Sequence, residues 1–323
     1  GSYAGNNIQT AGYNIAIGAE ALKGSTTPGD NTGTSNVALG YQAGYAYTNA
    51  LSSIFIGNRA GCAVTSGDYN IIMGCGTART LTTGSCNIFI GKDSGPINAT
   101  STGSLNITMQ REAGERLTSG NRNILIGEET GRFVSTGSNN VMMGDFAGKC
   151  VSTGDSNVLL GYAAGQYLTT TSTNTFVGNS AGGCRCTGHQ NIAMGGSALR
   201  GSSTVANNTG SYNAAFGVNA GLNVSTGGYN TFFGRNAGCL TTTGAANFAV
   251  GCKALSGNVS GSSNIALGGS AMESIGAGAC NVFIGKSAGE SSGTAADNDA
   301  SFNTAVGFEA GKLLTDGDQN VFI

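Results

Sequence analysis

The sequence predicts an all-β fold, a parallel β-solenoid (β-roll) of about 18 coils with 17-residue repeats. A nine-residue motif, N-φ-φ-φ-G-x-x-A-G with φ apolar, recurs through all 323 residues, as in Asn140–Gly148. Most steps between copies are 17 residues, which is about the length of one solenoid coil. No apolar period of 3.6 residues extends over a useful length, so the pattern does not indicate helices.

Within each repeat, the three apolar residues after the Asn are typical of a short strand that the following Gly ends. A Val or Leu eleven residues after the Asn and a Thr-Gly or Ser-Gly turn complete the coil, as in Val134 and Thr136–Gly137. Each strand should pair with the same strand of the next coil in a parallel ladder about 4.8 Å away.

The motif begins with Asn in 17 of its 18 copies, and Ser53 takes that place once. Identical Asn side chains stacked in parallel can hydrogen-bond along the axis, which also satisfies polar groups at a turn with little solvent. We therefore predict a structural Asn ladder rather than a row of ligand-binding amides. Its members are Asn14, Asn36, Asn70, Asn87, Asn106, Asn123, Asn140, Asn157, Asn174, Asn191, Asn213, Asn230, Asn247, Asn264, Asn281, Asn303 and Asn320.

The repeats predict a single continuous array over residues 1–323, interrupted only by longer loops near 25–31, 95–101, 201–208 and 291–299. These polar insertions fall in the same part of the repeat, so they should leave the same face of the rod.

The two ends of the sequence hold complementary parts of the motif. Gly1–Gly5 matches its tail and Asn320–Ile323 matches its head, and joining them would restore a 17-residue step. This register indicates one super-repeat of a longer chain, or a unit that stacks end to end.

Composition excludes several other classes of protein. The chain has 56 Gly, 2 Pro, 10% charged residues and a net charge of −2. Glycine does not recur every third residue as collagen requires, and regularly placed apolar residues disfavour disorder. The near-zero charge suggests no nucleic-acid partner, and no apolar run is long enough for a membrane span. No targeting segment is recognised in the sequence.

Nine cysteines carry one regularity. Cys62 and Cys75 occupy the same offsets in successive repeats as Cys239 and Cys252, which raises disulfides between stacked coils as a hypothesis. The favoured alternative is that the cysteines are small buried apolar residues.

Nothing in the sequence predicts a metal, a cofactor or an enzymatic site. Cys184, Cys186 and His189 are the only clustered ligand types, and a zinc site needs about four converging ligands. Glycoside hydrolysis needs paired carboxylates beside a cleft. Glu128–Glu129 and Asp297 with Asp299 are better interpreted as solvated loop charges, so we expect no enzyme.

Both faces of the predicted strands are apolar. The first and third strand residues point one way and the second points the other, as in Ile88, Phe89 and Ile90. Eighteen coils at about 4.8 Å give a rod of about 86 Å with an apolar stripe of about 900 Å² on each face. Monomers rarely expose that much apolar surface, so one face should meet neighbouring chains in a homotrimer or a filament.

The repeated sequence motif, with Thr-Gly turns at a 17-residue period, resembles the repeats in the shafts of bacteriophage tail fibres. It is similar, more loosely, to the heads of trimeric autotransporter adhesins. The resemblance implies a trimeric left-handed parallel β-roll that serves as the structural shaft of an extracellular or virion fibre. The C-terminal chaperone, receptor-binding tip and coiled-coil stalk of those families are not recognised here.

Two further functions are carried as alternatives. An adhesin could bind cell-surface glycans through its outer face or loops, and an ice-binding solenoid could use its Thr rows. The aromatic residues that favour the glycan alternative lie near the repeat edges and are Tyr13, Tyr41, Tyr69, Tyr162, Tyr212 and Tyr229.

Overall fold

The computed structural model describes residues 1–8, 10–27, 29–291 and 298–323. These residues contain 18 short strands and one turn of 3₁₀ helix at Val205–Asn207, and they contain no α-helix. All strand pairings within each unit are parallel, as between Ile71–Met73 and Ile88–Ile90. The prediction of an all-β parallel solenoid is therefore confirmed.

The chain divides into two compact units, and the first is Gly1–Asn157. Each of its eight strands has three residues and follows the Asn, or Ser53, of one repeat. The strands are β1 (Ile15–Ile17), β2 (Val37–Leu39), β3 (Ile54–Ile56), β4 (Ile71–Met73), β5 (Ile88–Ile90), β6 (Ile107–Met109), β7 (Ile124–Ile126) and β8 (Val141–Met143).

The second unit, Val158–Ile323, repeats the same plan. Its strands are β9 (Val158–Leu160), β10 (Thr175–Val177), β11 (Ile192–Met194), β12 (Ala214–Phe216), β13 (Thr231–Phe233), β14 (Phe248–Val250), β15 (Ile265–Leu267), β16 (Val282–Ile284), β17 (Thr304–Val306) and β18 (Val321–Phe322). The expectation of one continuous array over the whole chain stays a prediction.

Strand register follows the repeat even where the step is longer. In β4 and β5, Ile72 pairs with Phe89, one 17-residue step apart. In β1 and β2, Ile15 pairs with Val37 across a 22-residue step. The extra residues therefore leave the coil as a loop and do not shift the ladder.

In nearly every coil a glycine follows the strand. The chain turns there with a positive φ, and the next coil leaves no room for a Cβ. Gly74 has φ +134°, and a Cβ added to it would lie 2.5 Å from the carbonyl oxygen of Gly91 in the next coil. Only glycine adopts this conformation without strain and permits this approach. Gln110 occupies the same place in one coil and holds a φ of +87°.

The middle residue of each strand points into its coil. We call these residues the inner strand column, and those of β2 to β8 and β9 to β17 are buried. Phenylalanines of this column have no exposed surface, as at Phe55, Phe89 and Phe232. Ala147 and Val151 show the other two core positions of a coil, seven and eleven residues after the Asn, and both are fully buried.

The first and third residues of each strand form the outer strand columns and point away from the core. Ile17 is 58% exposed in β1, and Phe233 is 56% exposed in β13. The sequence left open which strand face fills the coil, because both faces are apolar. The structure assigns the interior to the middle residue.

Candidate functional site

Three ladders of side-chain hydrogen bonds connect the coils, and the Asn column forms the most buried of them. Asn70 Oδ1 accepts the backbone N–H of Asn87 at 3.0 Å and its side-chain Nδ2–H at 3.1 Å. Asn70 Nδ2 also donates to the carbonyl oxygen of Gly84 at 2.9 Å. One carboxamide therefore satisfies both a donor and an acceptor of the next coil's main chain.

The same contacts recur in both units. Asn123 Oδ1 accepts from the N–H of Asn140 at 3.1 Å, and Asn230 Oδ1 accepts from the N–H of Asn247 at 3.0 Å. The members of the column from Asn36 to Asn303 are at most 1% exposed, whereas Asn14 and Asn320 are partly exposed. These amides are saturated by main-chain partners, which gives them a structural role.

Ser53 shows what the column loses without an amide. Its Oγ accepts the N–H of Asn70 at 3.1 Å, but its contact with the carbonyl oxygen of Gly67 is long, at 3.4 Å. The shorter side chain therefore serves the donor of the next coil better than the acceptor.

A second ladder is built from the Thr or Ser that lies five residues before the next Asn of the column. Each hydroxyl donates to the carbonyl oxygen of the equivalent residue in the next coil. The bonds are 3.0 Å from Thr82 to Ser101 and 2.8 Å from Ser101 to Thr118. The Thr residues beside the turn glycines, such as Thr83 and Thr136, form a separate column and are exposed. The ice-binding hypothesis stays a prediction.

A third ladder lies two residues before the Asn column. The side chain at this place accepts the backbone N–H of the residue one coil earlier. Asp68 Oδ1 accepts from Leu51 N at 2.8 Å, and Asp155 Oδ1 accepts from Ser138 N at 2.7 Å. These surface carboxylates therefore connect coils and are not arranged around a cleft.

The longer loops are closed by a buried Asn that the sequence reasoning missed. Asn31 accepts the N–H of Ser25 at 2.8 Å and donates to the carbonyl oxygen of Ser25 at 2.8 Å. Asn208 makes the same pair of bonds with Ser202, at 3.0 and 2.8 Å. Asn298, which follows the loop near 291–299, donates to Ser291 Oγ at 2.7 Å.

A regularity in the sequence could have identified these clamps, because each lies five residues before the Asn that follows a 22-residue step. Each loop therefore leaves its coil at the same point of the repeat. Of the loops predicted near 25–31 and 291–299, Pro28 and residues 292–297, including Asp297, lie outside the described residues.

Tyr47 and Arg185 are the second feature that sequence reasoning missed. Both are fully buried and both lie eleven residues after a motif Asn, where other coils have Val or Leu. The Tyr47 hydroxyl donates to the carbonyl oxygen of Gly33, and Arg185 Nη2 donates to that of Gly210. Each acceptor lies in a coil that carries an extra loop, so the long side chain reaches into that neighbouring coil.

Burial shifts the pKa of both side chains. It raises the pKa of the Tyr47 phenol. Burial also lowers the pKa of Arg185 to about 10. Arg185 Nη1 donates to the carbonyl oxygen of Val224 at 3.3 Å, whereas its Nε has no protein acceptor. No ion pair is found for Arg185 among the described residues.

Of the carboxylates that could have suggested catalysis, Glu128 and Glu129 are held in ion pairs, Asp299 is exposed, and Asp297 lies outside the described residues. Glu129 contacts Lys149 at 2.5 Å and Arg132 at 3.2 Å, and Glu128 pairs with Arg111. The hydrogen bond from Lys149, followed by that from Arg132, lowers the pKa of Glu129. Glu129 therefore stays ionised at neutral pH and is not poised as a general acid.

All nine cysteines are free thiols in the structure, and five of them are partly exposed and four exposed. The favoured expectation of small buried cysteines is therefore wrong, whereas the hypothesis of disulfides between stacked coils stays a prediction. Cys62 Sγ lies 3.6 Å from the carbonyl oxygen of Arg79, and Cys239 Sγ lies 3.7 Å from that of Ser256. The stacking partner of Cys62 is thus the residue 17 positions on. Cys75 and Cys252 lie four residues nearer the Asn of their own coils, on a different column.

The described residues contain no group of three or more His, Cys, Asp or Glu that could hold a metal ion. No helix in the described part of the chain is long and apolar enough to cross a membrane.

The tyrosines near the repeat edges are exposed. Tyr13 is 92%, Tyr69 is 58% and Tyr162 is 53% exposed. Tyr212 and Tyr229 stack with ring centroids 4.8 Å apart and planes inclined by 7°. The sequence placed this pair at equivalent offsets in successive coils, and the structure brings the two rings together.

The fold and its ladders define the class of protein as a parallel β-solenoid. No protein-family model matches the chain, and no curated protein matches it at a significant level.

Proposed function

We propose that the chain is a non-catalytic structural shaft of an extracellular or virion fibre or filament. The buried Asn column supports this proposal most directly. Its amides bond the main chain of one coil to the next within each unit, and such continuous bonding gives length and stiffness.

The side-chain ladders suit a mechanical role because they add to the strand ladder. In one step from Asn123 to Asn140, the Asn column contributes amide bonds to a main-chain donor and to the Gly137 carbonyl, at 3.1 and 2.8 Å. Thr118 adds a hydroxyl bond of 3.1 Å to the carbonyl oxygen of Ser135. A local opening must break several of these bonds at once, so proteases would meet few accessible segments.

Negative-stain electron microscopy of the purified chain, combined with a mass measurement in solution, tests the proposal. We expect rods of uniform width that resist limited proteolysis except at the loops near 25–31 and 201–208. Compact particles without an elongated axis, or rapid cleavage throughout the chain, would reject the shaft.

Adhesion is a second candidate, and the exposed Tyr212–Tyr229 stack favours it. Aromatic rings suit contact with sugars because each has an apolar face and a polar hydroxyl tip. A glycan array probed with the wild type and with Tyr229→Ala tests this function. Binding that the substitution abolishes would support adhesion, and an array without signal would count against it.

A further inference from the structure

The outer strand columns leave an apolar face on each unit. In β1 to β8, the first and third residues are only Ile, Val, Leu and Met, and none of them is buried. In β9 to β18 the same positions carry no charged residue, and again none is buried. Each unit therefore presents to solvent a sheet face that contains no ionic side chain.

The face of each unit has the area of a modest interface. Eight strands about 4.8 Å apart with a width of about 10 Å give about 400 Å² in the first unit, and ten strands give about 480 Å² in the second. Each is about half of the ~800 Å² that each partner buries in a standard protein–protein interface. Each also falls within the ~300–600 Å² of the largest apolar patch on a typical monomer, which is often a functional surface.

The spacing of the side chains along this face favours a second copy of the chain as its partner. Apolar side chains recur along it once per coil, about every 4.8 Å. A surface without this repeat can fit the ridges only locally, whereas a second copy of the chain has the same repeat and can place its ridges in the grooves between coils.

Aromatic residues give the face of the second unit the character of an interface. Phe233 and Phe248 are 56% and 42% exposed. The ring centroids of Phe216 and Phe233 lie 5.6 Å apart. Large aromatic side chains often dominate the binding energy of protein interfaces, because they bury much apolar area with few rotatable bonds.

We propose that the outer strand columns bind the same columns of a second copy of this chain, side by side with the axes aligned. This deepens the proposed shaft and rests on it, because lateral contact between copies would thicken a fibre. The absence of charge on the face favours an apolar copy over an acidic or basic partner.

The experiment introduces charge on the face without disturbing the interior. Ile90→Lys with Ile126→Lys places two cations on the outer strand column of the first unit. Thr83→Lys with Thr136→Lys is the matched control, because both threonines are exposed and lie away from the strands. Ile90→Ala with Ile126→Ala provides a milder pair in case the charged variant does not fold.

Sedimentation velocity over a range of concentrations measures association, and circular dichroism checks the fold. We expect the wild type and the threonine control to associate equally. The charged variant should bind at least ~100-fold more weakly, since like charges then face each other across the contact, and the alanine pair should be intermediate.

Two results would overturn the proposal. One is a wild type that remains monomeric at ~100 μM, far above the dissociation constants of most specific complexes. The other is undiminished association of both folded isoleucine variants. Rod-shaped monomers would reject the lateral contact alone, whereas compact particles would reject the shaft as well.

Discussion

Replacing Asn123 by Ala removes one complete step of the Asn column. The side chain accepts the backbone and side-chain N–H groups of Asn140 at 3.1 and 3.0 Å. It donates to the carbonyl oxygen of Gly137 at 2.8 Å and to Asn106 Oδ1 at 3.1 Å. The substitution deletes four hydrogen bonds in a region that water does not reach.

The energetic cost follows from the main-chain groups that lose this partner. The N–H of Asn140 and the carbonyl oxygen of Gly137 would lose their bonds to the amide, and a buried polar group without a partner costs about 1–3 kcal/mol. The two groups together give about 4 kcal/mol. That is a large share of the 5–15 kcal/mol that stabilises an ordinary domain.

The assay should report locally, because long repeat arrays need not unfold in a single step. Native-state hydrogen exchange of the Asn140 amide is suitable. A loss of about 4 kcal/mol corresponds to exchange about 1,000-fold faster, at 1.4 kcal/mol for each tenfold change. The amide of Asn247, in the other unit, is the internal reference and should exchange at an unchanged rate.

Ser53→Asn is the reverse perturbation. Asparagine at this position can replace the long 3.4 Å contact of Ser53 with the Gly67 carbonyl by an ordinary amide bond. We expect slower exchange at Asn70 and a gain of about 1 kcal/mol. Unchanged exchange at Asn140 in Asn123→Ala, together with a destabilising Ser53→Asn, would refute a stabilising role for the column.

Three further predictions concern single side chains. Gln110→Gly should raise the free energy of unfolding by about 1 kcal/mol by relieving a positive φ, and Gly127→Gln should lower it, as thermal denaturation would show. Tyr47→Phe should cost about 1 kcal/mol in denaturant midpoints through the lost bond to Gly33, an effect that unchanged midpoints would disprove. Arg185→Leu removes a penalty of about 3 kcal/mol at pH 7, because burial lowers the pKa of Arg185 to about 10 and disfavours its charged form. It also costs about 1 kcal/mol for each of the lost bonds to the carbonyl oxygens of Gly210 and Val224, so the net gain should be about 1 kcal/mol. The wild type should regain stability only as the pH rises through 10, so a constant difference between the two proteins from pH 7 to 11 would contradict the cause.

The repeat period was sufficient to predict the strands and their pairing. A strand of three apolar residues is too short to be assigned from propensity alone, but its recurrence at 17-residue intervals defines both its ends and its partner. The same logic identified the Asn column, because identical residues at one offset must stack in a parallel array.

The hypothesis of disulfides between stacked coils rested on offsets that recur in two pairs of repeats, and recurrence alone does not place two side chains in contact. Cys62 and Cys75 recur at the offsets of another pair, yet proximity requires that two residues share a column or face each other across the core. Cys62 instead stacks on Arg79, which is 17 residues away.

The contacts around the loops could not be predicted from the sequence. The 17-residue repeat does not determine which residues of a longer step form the loop and which remain in the coil. A 22-residue step permits several alignments of the extra residues with the preceding coil. Once Asn208 is known to close its loop, the position of the Gly210 carbonyl oxygen that Arg185 reaches follows. From its offset alone, eleven residues after the Asn, Arg185 would be expected to stack on the Val or Leu at the same offset of a neighbouring coil.

The interior and the outer face of the solenoid are linked by one dimension, the spacing between coils. Inside, Asn70 and its equivalents bond to main-chain groups of the next coil, so the ladder holds adjacent coils at the strand spacing. Outside, the same spacing sets the separation of the apolar ridges. A substitution in the Asn column that loosened the coils would therefore also disturb the match between two outer faces. The proposed lateral contact should weaken in Asn123→Ala even though no residue of the outer face has changed.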